Sequence, residues 1–384
     1  MKKIISCCLT VLLVLSTLTV TAFAENDTTL EIKAKAAVLM DVSTGKMLYA
    51  HNEHDKLSPA SVTKIMPLLL VMEAIDSGKI SLEDEVTVSA DAASKGGSQI
   101  WLEEGESMTV DEMLRAVAIA SANDACCALG ELISGSESAF VNLMNERAKE
   151  LGMNDTYFEN CSGLDDDTDT HLTSAYDIAV MSKELLKHEL IKKYTTVWMD
   201  SLRDGKTELV NTNKLVRFYN GTTGLKTGTT SKAGKCLSAS AERDGLHLVA
   251  VVLGSETSDD RFNTAKTLLN YGFANYETVQ LKTDESLITD VKVIRGIEET
   301  VKPKTEDAGF VTLKKGEKDK ISTEITLATD VEAPVDEGQR LGNIVFKINN
   351  QPIGECGLFS DKSIRKTTYI DVLKSMLKSL AVGR

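Results

Sequence analysis

Strand-like segments stand at both ends of a helical stretch, and this order limits the fold more than any other feature. Residues 36–52 place apolar segments around the turn Ser43-Thr44-Gly45, and residues 236–253 do so around Arg243-Asp244-Gly245, which predicts two β-hairpins. Apolar spacing and capping signals predict helices over 61–78, 109–120, 124–134, 174–188 and 260–273. The two hairpins then pair in one sheet with helices packed on it, which is an α/β arrangement.

The first 24 residues have the pattern of a signal peptide. Lys2 and Lys3 precede an apolar stretch of about residues 9–20, and Ala22-Phe23-Ala24 fits a signal-peptidase site. The apolar stretch is short for a membrane span, although a retained N-terminal anchor is the alternative. We therefore expect residues 1–24 to be removed and the protein to be exported.

The remaining chain is acidic and poor in cysteine. Without residues 1–24 it has 41 basic and 57 acidic residues, a formal charge of −16, which disfavours a nucleic-acid partner. Five cysteines remain and none forms a CxxC pair, so neither a disulfide framework nor a structural zinc site is expected. A length of about 360 residues predicts two domains.

The texture of the sequence changes after about residue 276. Short β-like segments alternate with turn signals, and three of the five prolines lie here, which predicts a small all-β domain over 277–364. In 365–384, Leu373, Met376, Leu377 and Leu380 follow i, i+3, i+4, i+7 spacing beside several lysines. This pattern fits an amphipathic helix on an anionic membrane surface, and it equally fits a tail packed on its own protein.

The first candidate catalytic motif is Ser61-Val62-Thr63-Lys64. Residues i and i+3 share one face of a helix, so the Ser61 hydroxyl and the Lys64 amine can meet. Lysine can remove the proton of a serine nucleophile only when its pKa falls from about 10.4 towards 7, which burial and a nearby cation both favour. Pro67 cannot donate a hydrogen bond to the carbonyl of Thr63, so we expect a bent or opened turn beside the pair.

Two further triplets complete the candidate site. Ser121-Ala122-Asn123 lies between two predicted helices, where serine and asparagine are also ordinary helix caps. Lys226-Thr227-Gly228 precedes the second hairpin, and a glycine at a bare strand edge lets a peptide pair alongside. Lys226 is a candidate for the cation that lowers the pKa of Lys64, although a lysine before a glycine turn is also commonplace.

Together these motifs resemble those of the penicillin-recognising serine enzymes, in which S-x-x-K, an S-x-N type triplet and K-T-G occur in this order. The wider segments resemble, more narrowly, the D-alanyl-D-alanine carboxypeptidases among the low-molecular-mass penicillin-binding proteins. The matching segments are Ser58–Met66, Ser121–Ala125, Leu151–Met153, Gly163–Asp165, Thr173–Asp177 and Gly224–Leu237. The resemblance covers the whole mature chain.

The resemblance implies a fold and a division of the chain. An antiparallel five-stranded sheet flanked by helices would form the catalytic domain over 25–276, with the site between the sheet edge and the helices. The all-β domain over 277–364 would follow it. The helix over 365–384 would attach the protein to the membrane.

The resemblance also implies roles in catalysis. Ser61 would be the acylated nucleophile, Lys64 its general base, and Ser121 the group that passes the proton to the departing D-alanine. Asn123 would bind the substrate backbone. The backbone N–H groups of Ser61 and Thr229 would form the oxyanion hole, where paired donors contribute a few kcal/mol each.

The resemblance implies that other residues recognise the substrate's terminal carboxylate. Lys226 and Thr227 would hold the carboxylate region, and Gly228 would leave the strand edge open for the peptide. Arg261 lies where the family carries an arginine that helps recognise the carboxylate, although a surface helix arginine is the alternative.

The implied activity is removal of the terminal D-alanine from pentapeptide stems of bacterial peptidoglycan through an acyl-serine. β-Lactams would trap the nucleophile, and neither metal nor organic cofactor is expected. The protein would be exported, and would be anchored at the outer face of the cytoplasmic membrane or secreted to the cell wall. A β-lactamase and a non-catalytic β-lactam or peptidoglycan sensor are the alternatives.

Overall fold

Strands from residues 36–51 and 222–255 form one antiparallel sheet, as the sequence predicts. The computed structural model describes residues 30–164 and 168–382, so the expected signal peptide and Asp165 of the Gly163–Asp165 segment lie outside the described residues. The sheet has the order β2-β1-β9-β8-β7. Its strands are β1 (Ala36–Asp41), β2 (Met47–His51), β7 (Thr222–Thr230), β8 (Gly234–Arg243) and β9 (Leu246–Ser255). Two small two-stranded sheets pair β3 (Glu85–Thr87) with β4 (Ser107–Thr109) and β5 (Met199–Leu202) with β6 (Thr207–Val210).

Helices cover both faces of this sheet, because most residues of its central strands are buried. Every residue of β1 is buried, and Leu39 packs near Gly272 on one face while Val38 joins the main core on the other. The α-helices are α1 (Ile65–Asp76), α2 (Ala90–Ala93), α3 (Val110–Arg115), α4 (Asn123–Ser134), α5 (Glu137–Glu150), α6 (Ala175–Leu185), α7 (Lys192–Thr195), α8 (Leu215–Phe218), α9 (Ser258–Asn275) and α10 (Tyr369–Val382).

Two of the predicted helices differ from the structure beside the candidate site. The predicted helix over 61–78 is a 3-10 turn, Ala60–Lys64, followed by α1. The turn beside the Ser61–Lys64 pair, which we expect to be bent or opened, is this 3-10 turn. Pro67 itself lies in the first turn of α1, where a missing N–H costs no helical hydrogen bond. The predicted helix over 109–120 begins with a capping box at Thr109 but changes to a π-helix over Ala116–Ala120.

The chain after residue 275 is a set of small sheets ending in a helix. The strands are β10 (Tyr276–Gln280), β11 (Val291–Ile294), β12 (Thr300–Val301), β13 (Pro303–Thr305), β14 (Phe310–Lys314), β15 (Ser322–Leu327), β16 (Asp330–Glu332), β17 (Arg340–Ile348) and β18 (Gln351–Ser360). They form sheets β10-β14, β12-β11-β16 and β13-β18-β17-β15. This confirms the predicted all-β character. The side chain of Leu380 lies outside the described part of α10.

A buried carboxylate joins this β-rich part to the catalytic sheet. Asp41 at the end of β1 is wholly buried and accepts hydrogen bonds from Thr44 Oγ1 at 3.0 Å and Thr278 Oγ1 at 3.2 Å. Thr312 Oγ1 donates to the same oxygen. Because a buried charge is costly without such donors, these contacts fix the first strands of the β-rich part against the sheet.

Candidate active site

The 3-10 turn after Pro59 brings the first predicted pair together. Lys64 Nζ lies 2.9 Å from Ser61 Oγ, so the expected contact between i and i+3 is present. The amine is fully buried and also donates to the backbone carbonyl of Ser162 at 2.7 Å. These two contacts hold the amine against the hydroxyl at hydrogen-bonding distance.

Burial makes the Lys64 ammonium easier to deprotonate than that of an ordinary lysine. Loss of hydration lowers its pKa to about 8, although the neighbouring Cys126, Cys161 and Asp124 act in the opposite direction. A protonated Lys64 donates to Ser61 Oγ, whereas the neutral amine can accept the hydroxyl proton over the same 2.9 Å. The geometry and the pKa direction both suit a general base.

Lys226 is a second buried lysine, on strand β7. It is 1% exposed, and its Nζ donates to the carbonyl of Thr227 at 3.1 Å. Burial lowers its pKa well below the ordinary value, and repulsion by the charge on Lys64 adds to this effect. Burial is the main cause of the lowered pKa of each lysine, and the repulsion between the two amines disfavours their being protonated together, as the sequence suggests for this pair.

Gly228 allows strand β7 to pass directly against the 3-10 turn that carries Ser61. A Cβ at this position would lie 2.6 Å from Pro59 O and 3.0 Å from the backbone nitrogens of Ser61 and Val62. Only glycine leaves room for so close an approach. β7 is also the last strand of its sheet, which leaves an edge where an extended peptide can pair.

Two threonines flank Gly228 on this strand. Thr227 is 6% exposed, and its hydroxyl donates to Thr212 Oγ1 at 2.7 Å. The hydroxyl of Thr229 donates to Gly228 O at 2.8 Å. The predicted oxyanion donor is the backbone N–H of Thr229, one residue beyond the close approach to Ser61.

The π-helix and its end position the middle triplet. Ser121 has a φ of 65°, which is left-handed, and it is 4% exposed. Two residues later Asn123 begins α4, and its Nδ2 donates to Gly96 O at 2.6 Å. Its Oδ1 is buried and has no hydrogen-bond partner among the residues described. A buried acceptor without a donor suits binding of a substrate N–H.

Arg261 of α9 lies behind strand β7. Its Nη1 donates to Gly228 O at 3.1 Å and to Cys236 O at 3.2 Å, with Thr229 Oγ1 at 3.4 Å. The side chain is 6% exposed. Its observed contacts therefore support the strand, and carboxylate recognition by Arg261 stays a prediction.

The loop that supplies Ser162 was missed by sequence reasoning. Asn160 Oδ1 accepts from Ser162 N at 3.1 Å and Gly163 N at 2.7 Å, which fixes the turn that aims the Ser162 carbonyl at the lysine. His171 accepts from Glu159 N, so its Nε2–H donates to Thr63 Oγ1 at 2.8 Å. The Gly163–Asp165 match was the only sequence signal for this loop.

Two cysteine thiols and a carboxylate near the site form a cluster that has the composition of a metal site. The ligand atoms of Cys127, Glu137 and Cys161 lie within 4.8 Å of one another. Lys95 Nζ, however, donates to Glu137 Oε2 at 2.6 Å and to Asp91 Oδ1 at 3.0 Å. A cation already neutralises these carboxylates, so the arrangement is explained as an ion pair beside buried thiols.

Comparison with protein families gives two consecutive matches. The D-alanyl-D-alanine carboxypeptidase family matches residues 21–257. The C-terminal domain of penicillin-binding protein 5 matches residues 276–366. The first match contains every candidate site residue except Arg261.

Individual relatives agree with the family matches. D-alanyl-D-alanine carboxypeptidase DacF of Bacillus subtilis (strain 168) is 43% identical over 382 residues, which covers 97% of each chain. Penicillin-binding protein 5 from Haemophilus influenzae superposes with a TM-score of 0.76 and 30% identity, covering 88% of this chain and 98% of that one. Penicillin-binding protein D2 from Listeria monocytogenes, in its ampicillin-bound form, gives 0.55 and 31%, covering 64% and 98%. The chain therefore belongs to the D-alanyl-D-alanine carboxypeptidase family of serine-type penicillin-binding proteins.

Proposed function

We propose that this serine-type carboxypeptidase removes the terminal D-alanine of peptidoglycan stem peptides by acylation of Ser61. The observation that carries the proposal is the buried Lys64 amine 2.9 Å from the Ser61 hydroxyl. A lysine with a pKa of about 8 can be neutral under working conditions without any metal or second base.

Acylation begins with transfer of the Ser61 proton to neutral Lys64. The alkoxide forms a bond to the carbonyl carbon of the penultimate D-alanine, and the carbonyl electrons move onto oxygen. The backbone N–H groups of Ser61 and Thr229 would stabilise that oxyanion. Collapse of the intermediate breaks the peptide bond, and the proton held by Lys64 would reach the departing amine through the Ser121 hydroxyl, which gives up one proton and takes back another. Water would then hydrolyse the acyl-Ser61 ester, which releases the shortened stem peptide and restores the serine hydroxyl.

The carboxylate of the substrate would complete the charge balance of the site. Lys226 is nearly inaccessible, and among the described residues its amine donates to a backbone carbonyl and to no carboxylate. A carboxylate beside Lys226 and Thr227 would stabilise the protonated form of Lys226.

Two other activities use the same residues. A β-lactamase and a β-lactam sensor would both be acylated at Ser61, and the three activities differ in the fate of the acyl group. A β-lactamase hydrolyses the penicilloyl ester quickly, and a sensor keeps it without releasing D-alanine from peptides.

The test is to follow D-alanine release from an acyl-D-Ala-D-Ala peptide together with the lifetime of a fluorescent penicillin label. We expect multiple turnovers on the peptide and a label that persists far longer than one peptide turnover. Rapid loss of label without peptide turnover would identify a β-lactamase. A stable label with no D-alanine release would identify a sensor.

Export to the cell surface fits both the expected signal peptide and the peptidoglycan substrate. No helix within residues 30–164 and 168–382 has the length and apolar character to cross a bilayer. We propose peripheral attachment through α10, which exposes Tyr369, Ile370, Leu373, Met376 and Leu377. We also propose the domain division at 276/277 and 364/365.

A further inference from the structure

A single exposed tryptophan stands on the loop beside the candidate site. The side chain of Trp101 is 77% exposed, the highest value among the large apolar residues described between 30 and 275. Its φ of 60° lies in the left-handed region, which is a genuine outlier for a bulky side chain. Isolated exposed apolar residues are ordinary, but a strained backbone that presents one points to function.

The backbone on both sides of Trp101 is held by buried or half-buried charged groups. Asp124 Oδ2 accepts from the N–H groups of Ile100 and Leu102, each at 3.1 Å. Arg203 Nη1 donates to the Ile100 carbonyl at 2.8 Å. Asp124 and Arg203 therefore fix the left-handed conformation of Trp101, and the indole is exposed to solvent before any ligand binds.

The same loop supports the proposed substrate-binding amide. The N–H of Asn123 donates to Ser98 O at 2.7 Å, and Asn123 Nδ2 donates to Gly96 O at 2.6 Å. Asp124, which holds the backbone around Trp101, is the next residue of α4. Trp101 thus lies on the loop that contacts Asn123 and Asp124.

Phe218 is a second exposed aromatic residue, and in contrast to Trp101 its ring contacts neighbouring side chains. It is 69% exposed, but its ring meets Trp198 edge-on at 6.1 Å and lies 5.6 Å from the Arg217 guanidinium. Its neighbours account for its position. The aromatic and cation–π contacts found within the described residues do not include Trp101.

We propose that Trp101 is a specificity-determining residue that binds an aliphatic C–H face of the peptidoglycan substrate beyond its D-Ala-D-Ala end. A rigid aromatic ring supplies a large contact at low entropic cost. The C–H face can come from an aliphatic stem side chain or from the pyranose ring of the attached sugar. The inference rests on the proposed carboxypeptidase function.

The test compares D-alanine release by wild type, Trp101→Ala, Trp101→Phe and the control Phe218→Ala. Three substrates are used: a short acyl-D-Ala-D-Ala peptide, the complete stem pentapeptide, and the disaccharide pentapeptide. We expect Trp101→Ala to raise KM about tenfold on a long substrate with kcat unchanged, and to leave the short peptide and penicillin acylation unaffected. Trp101→Phe should recover most of the loss, and Phe218→Ala should behave as wild type.

The two longer substrates separate the two sources of the C–H face. A loss already present on the pentapeptide identifies a stem side chain, and a loss confined to the disaccharide pentapeptide identifies the sugar. Equal losses on all substrates and on penicillin acylation would mean that Trp101 only supports the loop, and no loss on any substrate would also overturn the proposal. Wild-type turnover of the short peptide tests the carboxypeptidase function separately.

Fluorescence provides a readout that does not depend on activity. The chain has two tryptophans, so Trp198→Phe leaves Trp101 as the only indole. In a Ser61→Ala, Trp198→Phe protein, saturating disaccharide pentapeptide should shift or quench the emission, and the short peptide should not. Identical spectra with and without a long substrate that binds would contradict direct contact.

Discussion

Lys64 combines full burial with contacts that serve both of its protonation states. The ammonium can donate to Ser61 Oγ and to Ser162 O, whereas the neutral amine keeps the carbonyl contact and accepts from the hydroxyl. Burial favours the neutral form without removing either partner. The Lys64 side chain is therefore held in the same position in its protonated and neutral forms.

The rate of Ser61 acylation should depend on pH through the protonation state of Lys64. Only neutral Lys64 can accept the Ser61 proton, and its pKa of about 8 means that the neutral fraction rises from pH 7 to pH 9. The second-order rate of acylation by a fluorescent penicillin, which reports the free enzyme, should rise about tenfold over this range. Stopped-flow measurement between pH 6 and pH 10 gives the profile.

Matched variants separate the base from general charge effects. Lys64→Arg cannot lose its proton, and acylation should fall by roughly 10²–10⁴-fold at every pH. Lys56→Arg keeps an exposed charge and should reproduce the wild-type profile. A flat wild-type profile, or one that falls with rising pH, would show that Lys64 is not the base.

Spacing alone predicts the Ser61–Lys64 contact, because residues i and i+3 meet within a single turn. The Ser162 carbonyl is 98 residues away along the chain, and no local pattern relates the two. The orphan acceptor of Asn123 likewise depends on its burial beneath the 96–102 loop. Sequence therefore predicts the reacting groups, whereas the residues that support them become visible only in the fold.

At the scale of elements, the site exists because an edge strand and a 3-10 turn touch. β7 passes the turn at Gly228, and Arg261 of α9 holds the strand from behind through the Gly228 carbonyl. Two groups thus set the distance between β7 and Ser61: Gly228, which has no side chain to separate them, and the Arg261 guanidinium, which binds the Gly228 carbonyl.

Gly228→Ala should separate the two elements. Its Cβ would meet Pro59 O at 2.6 Å, so the strand must move away from Ser61. We expect acylation to slow on the order of 10²-fold, since displacements near 1 Å have effects of this size. Gly272→Ala is the control, because its Cβ would meet a Leu248 side chain in the core.

The two glycine variants should give opposite patterns. Gly272→Ala should lower the melting temperature and leave the acylation rate per folded molecule near wild type. Unchanged acylation in Gly228→Ala, measured on folded protein, would contradict the close approach of β7 to the turn.

Local chemistry made some elements predictable and left others hidden. The capping box of Thr109 and Glu112 and the N-cap at Ser174 form from neighbouring residues, and both are present. The π-helix before Ser121 and the 3-10 turn before α1 differ from an α-helix in the spacing of their backbone hydrogen bonds. Apolar periodicity does not distinguish these helical forms.

At the scale of the whole molecule, the buried Asp41 joins the catalytic sheet to the β-rich part. Thr44 lies in the hairpin of the catalytic sheet, whereas Thr278 and Thr312 belong to β10 and β14. Removing a donor leaves a buried carboxylate partly unsatisfied, which costs more than the hydrogen bond itself contributes.

Thr312→Val should therefore lower the free energy of unfolding by about 1–3 kcal/mol, because valine keeps the shape of threonine but cannot donate. Thr323→Val on exposed strand β15 is the control and should stay within about 0.5 kcal/mol of wild type. Urea denaturation measures both variants. Equal stabilities would show that the Asp41 contacts do not stabilise the molecule.

The exposed apolar face of α10 leads to a prediction about location. Protein 25–384 should sediment with anionic lipid vesicles, and protein 25–366 should remain in the supernatant. Leu373→Ser with Leu377→Ser should weaken binding without altering peptide turnover. Equal sedimentation of the long and short proteins would favour the alternative of a tail packed on its own protein.

The most direct test of the mechanism is the mass of the acylated protein. Mature wild-type protein incubated with benzylpenicillin should gain one penicilloyl group, and digestion should locate it on the peptide that contains Ser61. Ser61→Ala should gain none and release no D-alanine, although its melting temperature stays near that of wild type. A penicilloyl group on another residue, or acylation of Ser61→Ala at the wild-type rate, would contradict Ser61 as the nucleophile.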